Sequence, residues 1–171
     1  MSRIKDKKDD WRAQRAVKLA QRPSAPVGPQ NANPPLFAST SSLGVLFANN
    51  YGFSQGCLLS NSQLRVTGMG GWDESGNIPP NTSDEISLMM VNVERTLREL
   101  RWGCGWDFVY VVRSFHTDLR ETAELMAAHL QARMQKHRPM WSCVEVRALK
   151  VQGMRVECEV EAYLEKQDAA V

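Results

Sequence analysis

The chain has 171 residues, 43% of them hydrophobic and 23% charged, which is room for one domain and a tail rather than two domains. That composition excludes a disordered or fibrous chain, and no run approaches the roughly 18 uncharged apolar residues that a membrane helix needs. The formal net charge of +2 hides an asymmetry, because residues 1–22 carry eight Lys or Arg against three Asp, leaving 13 basic and 16 acidic side chains on residues 23–171.

A mildly acidic body argues against nucleic acid as a partner, since affinity for phosphates comes mainly from cations. Within the basic segment Ala13, Ala16, Val17 and Ala20 share one helical face, but that face is thin, so the segment reads as a solvated tail, with a docking arm or polyanion tether as its functional reading. Five prolines within residues 23–35 rule out helix or central strand and mark a linker. The expected organisation is a basic tail and Pro-rich linker over 1–35, a folded domain over 36–166 and a C-terminal tail over 167–171. Met1 to Asp10 is charged with no apolar stretch behind it, so the expectation is a cytosolic protein in which Cys57, Cys104, Cys143 and Cys158 are reduced, buried thiols. Neither these cysteines nor His116, His129 and His137 have zinc-site spacing, so no metal and no cofactor are expected.

From Leu36 the pattern becomes globular. The apolar run 43–48 reads as a first strand, and Gly56–Leu59 with residues 63–67 as a second, interrupted strand region around a turn at 60–62. Residues 68–80 read as a long turn. Thr82 and Glu85 have capping-box spacing, and Ile86, Met89, Met90, Val93, Leu97 and Leu100 then form one helical stripe that Gly103 and Gly105 end. Residues 107–115 are β-branched and aromatic, hence a buried strand. Asp118 and Glu121 open a second helix carrying Leu119, Thr122, Met126, Leu130 and Met134 to the break at Pro139. Residues 142–149 alternate loosely and 154–165 strictly, with Met154, Val156, Cys158, Val160, Ala162 and Leu164 on one face and Glu157, Glu159 and Glu161 on the other. This order most simply makes an α+β two-layer sandwich, a mixed sheet with both helices on one face. The other face is left bare, and oligomerisation is the simplest way to cover it.

Little of the usual catalytic vocabulary is present. Gly68, Gly70 and Gly71 lack the Lys-Ser/Thr of a phosphate loop and no helix begins behind them, so they read as a turn. Ser54, Ser142 and Cys143 carry no nucleophile signature. Adjacent glutamates on a covered sheet face, in contrast, are partly desolvated, which raises the pKa of one and lets it hold and activate water.

Tyr51-Gly52-Phe53-Ser54-Gln55, Leu64-Arg65-Val66-Thr67-Gly68, Asn92-Val93, and Arg138-Pro139-Met140-Trp141-Ser142-Cys143-Val144 followed by Gly153 to Glu159 occur in this order. Together they resemble the RidA/YjgF family over about residues 43–165. The resemblance implies a chorismate-mutase-like α+β fold, a homotrimer with small-molecule clefts between subunits, and hydrolysis of reactive enamines and imines such as 2-aminoacrylate. The family arginine that grips the substrate carboxylate in a Pro-x-Arg-Ser/Thr-Cys-Val motif is replaced by Trp141, and an indole cannot pair with a carboxylate. The family tyrosine before Ser-Gln is Phe53, and Thr67 stands for the family serine. Glu157 matches the water-positioning glutamate, and a shift of two would select Glu159.

The expected site therefore holds Glu157 (or Glu159) and Thr67 as catalytic groups, with Phe53, Trp141, Cys143 and Arg113 binding substrate; Arg113 or Arg138 is a candidate replacement cation. The resulting expectation is a homotrimer acting on a carbonyl, enamine or imine metabolite, with 2-aminoacrylate deaminase activity lost and a tailoring role in specialised metabolism as a fitting place for it. The alternative expectation is a non-catalytic ligand-binding or protein-interaction trimer. Ribonuclease activity is opposed by the acidic body and the absence of a His/Lys acid-base pair in the sequence pattern. Because the linker offers no core residues, deleting residues 1–35 is expected to leave the thermal midpoint and the oligomeric state unchanged; a clear drop in melting temperature would show that the segment packs on the body.

Overall fold

The computed structural model describes residues 35–40, 42–59 and 62–164; the basic segment, the linker up to residue 34 and the C-terminal tail lie outside the described residues. In chain order the elements are β1 (Leu36–Ala38), α1 (Ser42–Tyr51), β2 (Gly56–Leu59), β3 (Gln63–Gly70), α2 (Thr82–Leu100), β4 (Val109–His116), α3 (Leu119–Arg133), β5 (Met140–Glu145) and β6 (Val156–Tyr163). A single 3-10 turn, Trp106–Phe108, leads into β4.

The strictly alternating segment becomes β6, in the middle of a six-stranded sheet of order β1-β2-β3-β6-β4-β5. Its neighbours β3 and β4 are antiparallel to it, and among the described strands only β4 and β5 pair parallel. Val156, Cys158, Val160 and Ala162 are buried against the α2 stripe of Ile86, Met89, Met90, Val93, Leu97 and Leu100, and Met126 and Leu130 of α3 complete the layer. The mixed sheet and the α+β fold thus follow the sequence pattern.

Four local readings change. Residues 43–48 lie in helix α1 rather than in a strand. A six-residue apolar run fits either state, and the helix places Phe47 and Tyr51 one turn apart with edge-on rings, while Gly44 approaches the Gln55 amide so closely that a Cβ there would collide with it. The sheet position beside β2 is taken instead by Leu36–Ala38. Residues 68–70 continue β3 rather than forming a turn, through an irregularity between Val66 and Met69 where Gly68 has a φ of 59°; that left-handed conformation strains any residue with a Cβ. The cap of α2 is Asn81, whose side chain accepts from the Asp84 amide, and Thr82 instead donates to Glu121 across to α3. Finally, Cys57 and Cys143 are only half-buried, whereas Cys104 and Cys158 are buried.

Glu85, the other half of the expected capping box, is drawn away by a cation. It is fully buried and accepts from the Arg155 amide at 2.7 Å, the Arg155 Nε at 2.6 Å and the Val156 amide at 3.2 Å, while the remaining Arg155 nitrogens donate to the Pro79 and Pro80 carbonyls. One ion pair thereby ties the start of α2 to the start of β6. Asn92 does the same in mid-helix, donating to the Gly70 and Trp72 carbonyls. Arg155→Met leaves a buried carboxylate without its counter-ion and is expected to cost about 3–5 kcal/mol. Adding Glu85→Gln should return part of that loss, as read from urea unfolding at fixed protein concentration.

Candidate functional site

Because side chains alternate along a strand, everything that β6 does not bury it presents on the sheet face away from α2 and α3. Cross-strand register turns that face into rows. One row runs Phe37, Cys57, Arg65, Glu161, Val111 and Met140 from β1 to β5; the next sets Glu159 opposite Arg113 and Arg113 opposite Ser142. A cleft of about 740 Å³ opens over these rows, with Phe53, Thr67, Arg65, Arg113, Glu159 and Glu161 in its wall.

Glu161 is the electrostatic centre of the cleft. It accepts from the Arg113 guanidinium at 2.9 Å and the Tyr110 hydroxyl at 2.9 Å, and Arg65 stands 3.6 Å away. Burial pushes this carboxyl's pKa up, but the bonds from Tyr110 and Arg113 and the charge of Arg65 outweigh it, and the net shift is downward. Two guanidiniums therefore share one fixed carboxylate. Beside them Thr67, in the irregular part of β3, donates to Glu159 at 2.8 Å.

Glu157 lies on the same face, two residues from Glu159 and next to Gly68. Desolvation and then the neighbouring Glu159 raise its pKa, opposed by Lys150. The ammonium of Lys150 rests over the ring of Tyr51, 3.2 Å from its centroid.

Trp141 and Cys143 lie elsewhere. In register with Val112 and Ser114, they face the helix layer on strand β5, at the end of the sheet order. The Trp141 Nε1–H donates to Ser114 Oγ at 2.8 Å. Ser114 is fully buried and 2.8 Å from His116 Nε2, while His116 Nδ1 is 2.7 Å from Thr122 Oγ1, which donates to the Asp118 carbonyl. Two directions are fixed: indole N–H can only donate, and the Thr122 hydroxyl proton is already used. Nδ1–H of His116 therefore donates to Thr122, and in the neutral ring, which burial favours by lowering the pKa, Nε2 accepts from Ser114. Burial also raises the Cys143 thiol. Arg138 stands apart from the cleft, beside His137 and Trp141 at the start of β5.

The structure thus brings Phe53, Thr67, Arg113 and Glu159 together, sets Glu157 next to them, and places Trp141 and Cys143 on the opposite side of the sheet. Sequence reasoning missed Arg65 and the Ser114–His116 pair. Their signals were present, Arg65 as the polar residue between Leu64 and Val66, and Ser114 and His116 as polar groups at alternate positions on a buried strand, but only register shows what they meet. Among the described residues no cluster of His, Cys, Asp and Glu could hold a metal ion, and no helix is long and apolar enough to cross a membrane.

A raised carboxyl pKa in the folded state means that the folded chain binds this proton more tightly than the unfolded one. The stability it contributes is present below the ordinary value of 4.5 and is lost as pH rises through the folded-state value. Glu157→Gln, which cannot ionise, should therefore match the wild type at low pH and become increasingly more stable than it as pH climbs above 4.5, with a plateau once Glu157 is ionised. Parallel pH profiles of the urea midpoint check this.

A family model described as Endoribonuclease L-PSP matches residues 47–164. Among solved structures, the chain is similar to Protein YJGH, with 26% identity and a TM-score of 0.63 over 79% of this chain and 98% of that one. It is also similar to a YjgF/YER057c/UK114 family member from Mycobacterium tuberculosis, at 23% identity and a TM-score of 0.64 over 77% and 100%. A third similar structure is RidA from an Antarctic Psychrobacter, at 21% identity and a TM-score of 0.59 over 66% and 88%. No curated protein matches the sequence.

Proposed function

The chain belongs to the endoribonuclease L-PSP family, that of YjgF and RidA, and from that membership we propose that it hydrolyses an imine or enamine of a small carbonyl metabolite in clefts assembled between three copies of itself. The observation that carries this reading is the Thr67–Glu159 hydrogen bond beside the desolvated Glu157. Two carboxyl groups in unlike environments on one sheet face are what acid-base chemistry at neutral pH requires. Glu159, fixed by Thr67, orients the attacking water. Glu157 gives its proton to the imine nitrogen as the water oxygen adds to carbon and takes a proton back from that water; it then protonates the nitrogen of the adduct while Glu159 takes the hydroxyl proton, the C–N bond breaks to give ketone and free amine or ammonia, and the proton on Glu159 returns to Glu157 through water.

Arg113 is the replacement cation in this scheme, with Arg65 beside it, and Phe53 forms the apolar wall. Trp141 and Cys143 face their own helix layer, across the sheet from these groups; what supports an intersubunit site is the open sheet face, which a homotrimer would cover. Arg113 grips an anionic substituent less freely than an unpaired arginine, because Glu161 already holds it at 2.9 Å. The favoured substrates are accordingly larger and more aromatic than 2-aminoacrylate, and that deaminase activity is lost. The alternative of a non-catalytic ligand-binding trimer is favoured by one observation, the use of the Trp141 indole N–H on Ser114, which leaves that side chain no donor for a substrate.

Light scattering should give about three times the chain mass of 19.3 kDa; a monomer would sink the intersubunit site. Wild-type protein should hydrolyse 2-aminoacrylate about 30- to 1000-fold more slowly than a family member that carries the carboxylate-gripping arginine, since a lost charge-assisted contact costs roughly 2–4 kcal/mol, and Trp141→Arg should recover part of the difference. Across a panel of aromatic and aliphatic imines, Glu157→Gln and Glu159→Gln should each remove at least 100-fold while keeping the trimer. No turnover of any imine by the wild type would leave the ligand-binding alternative standing.

A further inference from the structure

Three aromatic rings converge on one ammonium beside the cleft. Phe47 and Tyr51 lie one turn apart on α1 and Phe53 follows two residues later, so the chain returns its third ring to the same side. The Lys150 Nζ is 3.2 Å from the Tyr51 centroid, 5.1 Å from that of Phe47 and 5.6 Å from that of Phe53. All three distances fall within the reach of a cation–π interaction.

We propose that Phe47, Tyr51 and Phe53 form a cation-binding cage that holds Lys150 in the resting chain and accepts the substituted ammonium group of a small organic cation when Lys150 leaves. Three features carry this. The cage already holds a cation, so its geometry and field suit one. A primary ammonium is a strongly hydrated point charge, and Lys150 remains exposed to water; a methylated ammonium is less hydrated and presents its charge over a surface that matches three ring faces. The charge is also needed locally, because Lys150 offsets the desolvation of Glu157 and its repulsion by Glu159, and an incoming cation would take over that role. Phe53 belongs both to the cage and to the cleft wall, which sets the cage beside the cleft and favours a small molecule over a protein side chain.

Lys150 acts as a tethered competitor, present at an effective concentration on the order of millimolar. Its removal should therefore raise the affinity for a free cation. The probe is choline chloride, titrated calorimetrically into wild type, Lys150→Ala and Lys150→Met, with 3,3-dimethylbutan-1-ol as the neutral molecule of the same shape; the Met variant keeps the aliphatic stem should the Ala variant fold poorly. The expected result is at least tenfold tighter choline binding by either variant than by wild type, no comparable gain for the alcohol, and loss of at least tenfold when Tyr51→Leu is added. Equal choline affinity with and without Lys150, equal binding of the alcohol, or retention of binding after Tyr51→Leu would each overturn the cage. The readout is binding rather than turnover, so its failure is separable from failure of the imine-hydrolase reading.

Discussion

Strand β6 imposes one constraint on everything else, the strict separation of Val156, Cys158, Val160 and Ala162 from Glu157, Glu159 and Glu161 on opposite faces of a central strand. Burying the first set draws α2 and α3 onto one side. The second set then has to lie on the other side, because a one-residue slip would exchange the faces and put three carboxylates into the core. The Glu85–Arg155 pair fixes where β6 begins relative to α2, so it guards that register at its N-terminal end.

The same separation creates the electrostatics of the open face. Three carboxylates in a row repel one another, and each finds a different answer. Glu161 takes Arg113 and Tyr110, with Arg65 close by; Glu159 takes Thr67; Glu157 has the more distant help of Lys150 and retains its proton more readily. Partner choice, rather than position along the strand, makes chemically identical residues unlike one another. This divergence is the physical basis of the proposed division of labour between Glu157 and Glu159.

Trp141 illustrates how an edge strand satisfies a large polar-tipped side chain. Where an arginine would need an anionic partner, the indole packs toward the helix layer and its N–H enters a chain through Ser114, His116 and Thr122 to the Asp118 carbonyl at the cap of α3. Every polar atom in that chain has a partner, and burial lowers the pKa of His116, which favours its uncharged form. The indole is thus accommodated without leaving an unpaired polar group in the interior.

The α+β class, the α2 stripe, the two-faced β6 and the family resemblance were legible in the sequence, because each rests on periodicity or on residue order along one segment. The strand expected at 43–48 was not, since a short apolar run carries no decisive period and its helical state depends on contacts of Phe47 with Trp72 and of Gly44 with Gln55, far along the chain. Likewise the Thr82–Glu85 spacing suggested a local cap, whereas Arg155, 70 residues away, claims the carboxylate. The sequence by itself determined which residues share a face; the tertiary structure alone decided which of them meet across strands, as Arg65 and Arg113 meet at Glu161 and Lys150 meets the α1 rings. Alternation is a property of one strand, but register, and with it every electrostatic partnership of the site, is a property of several strands packed together.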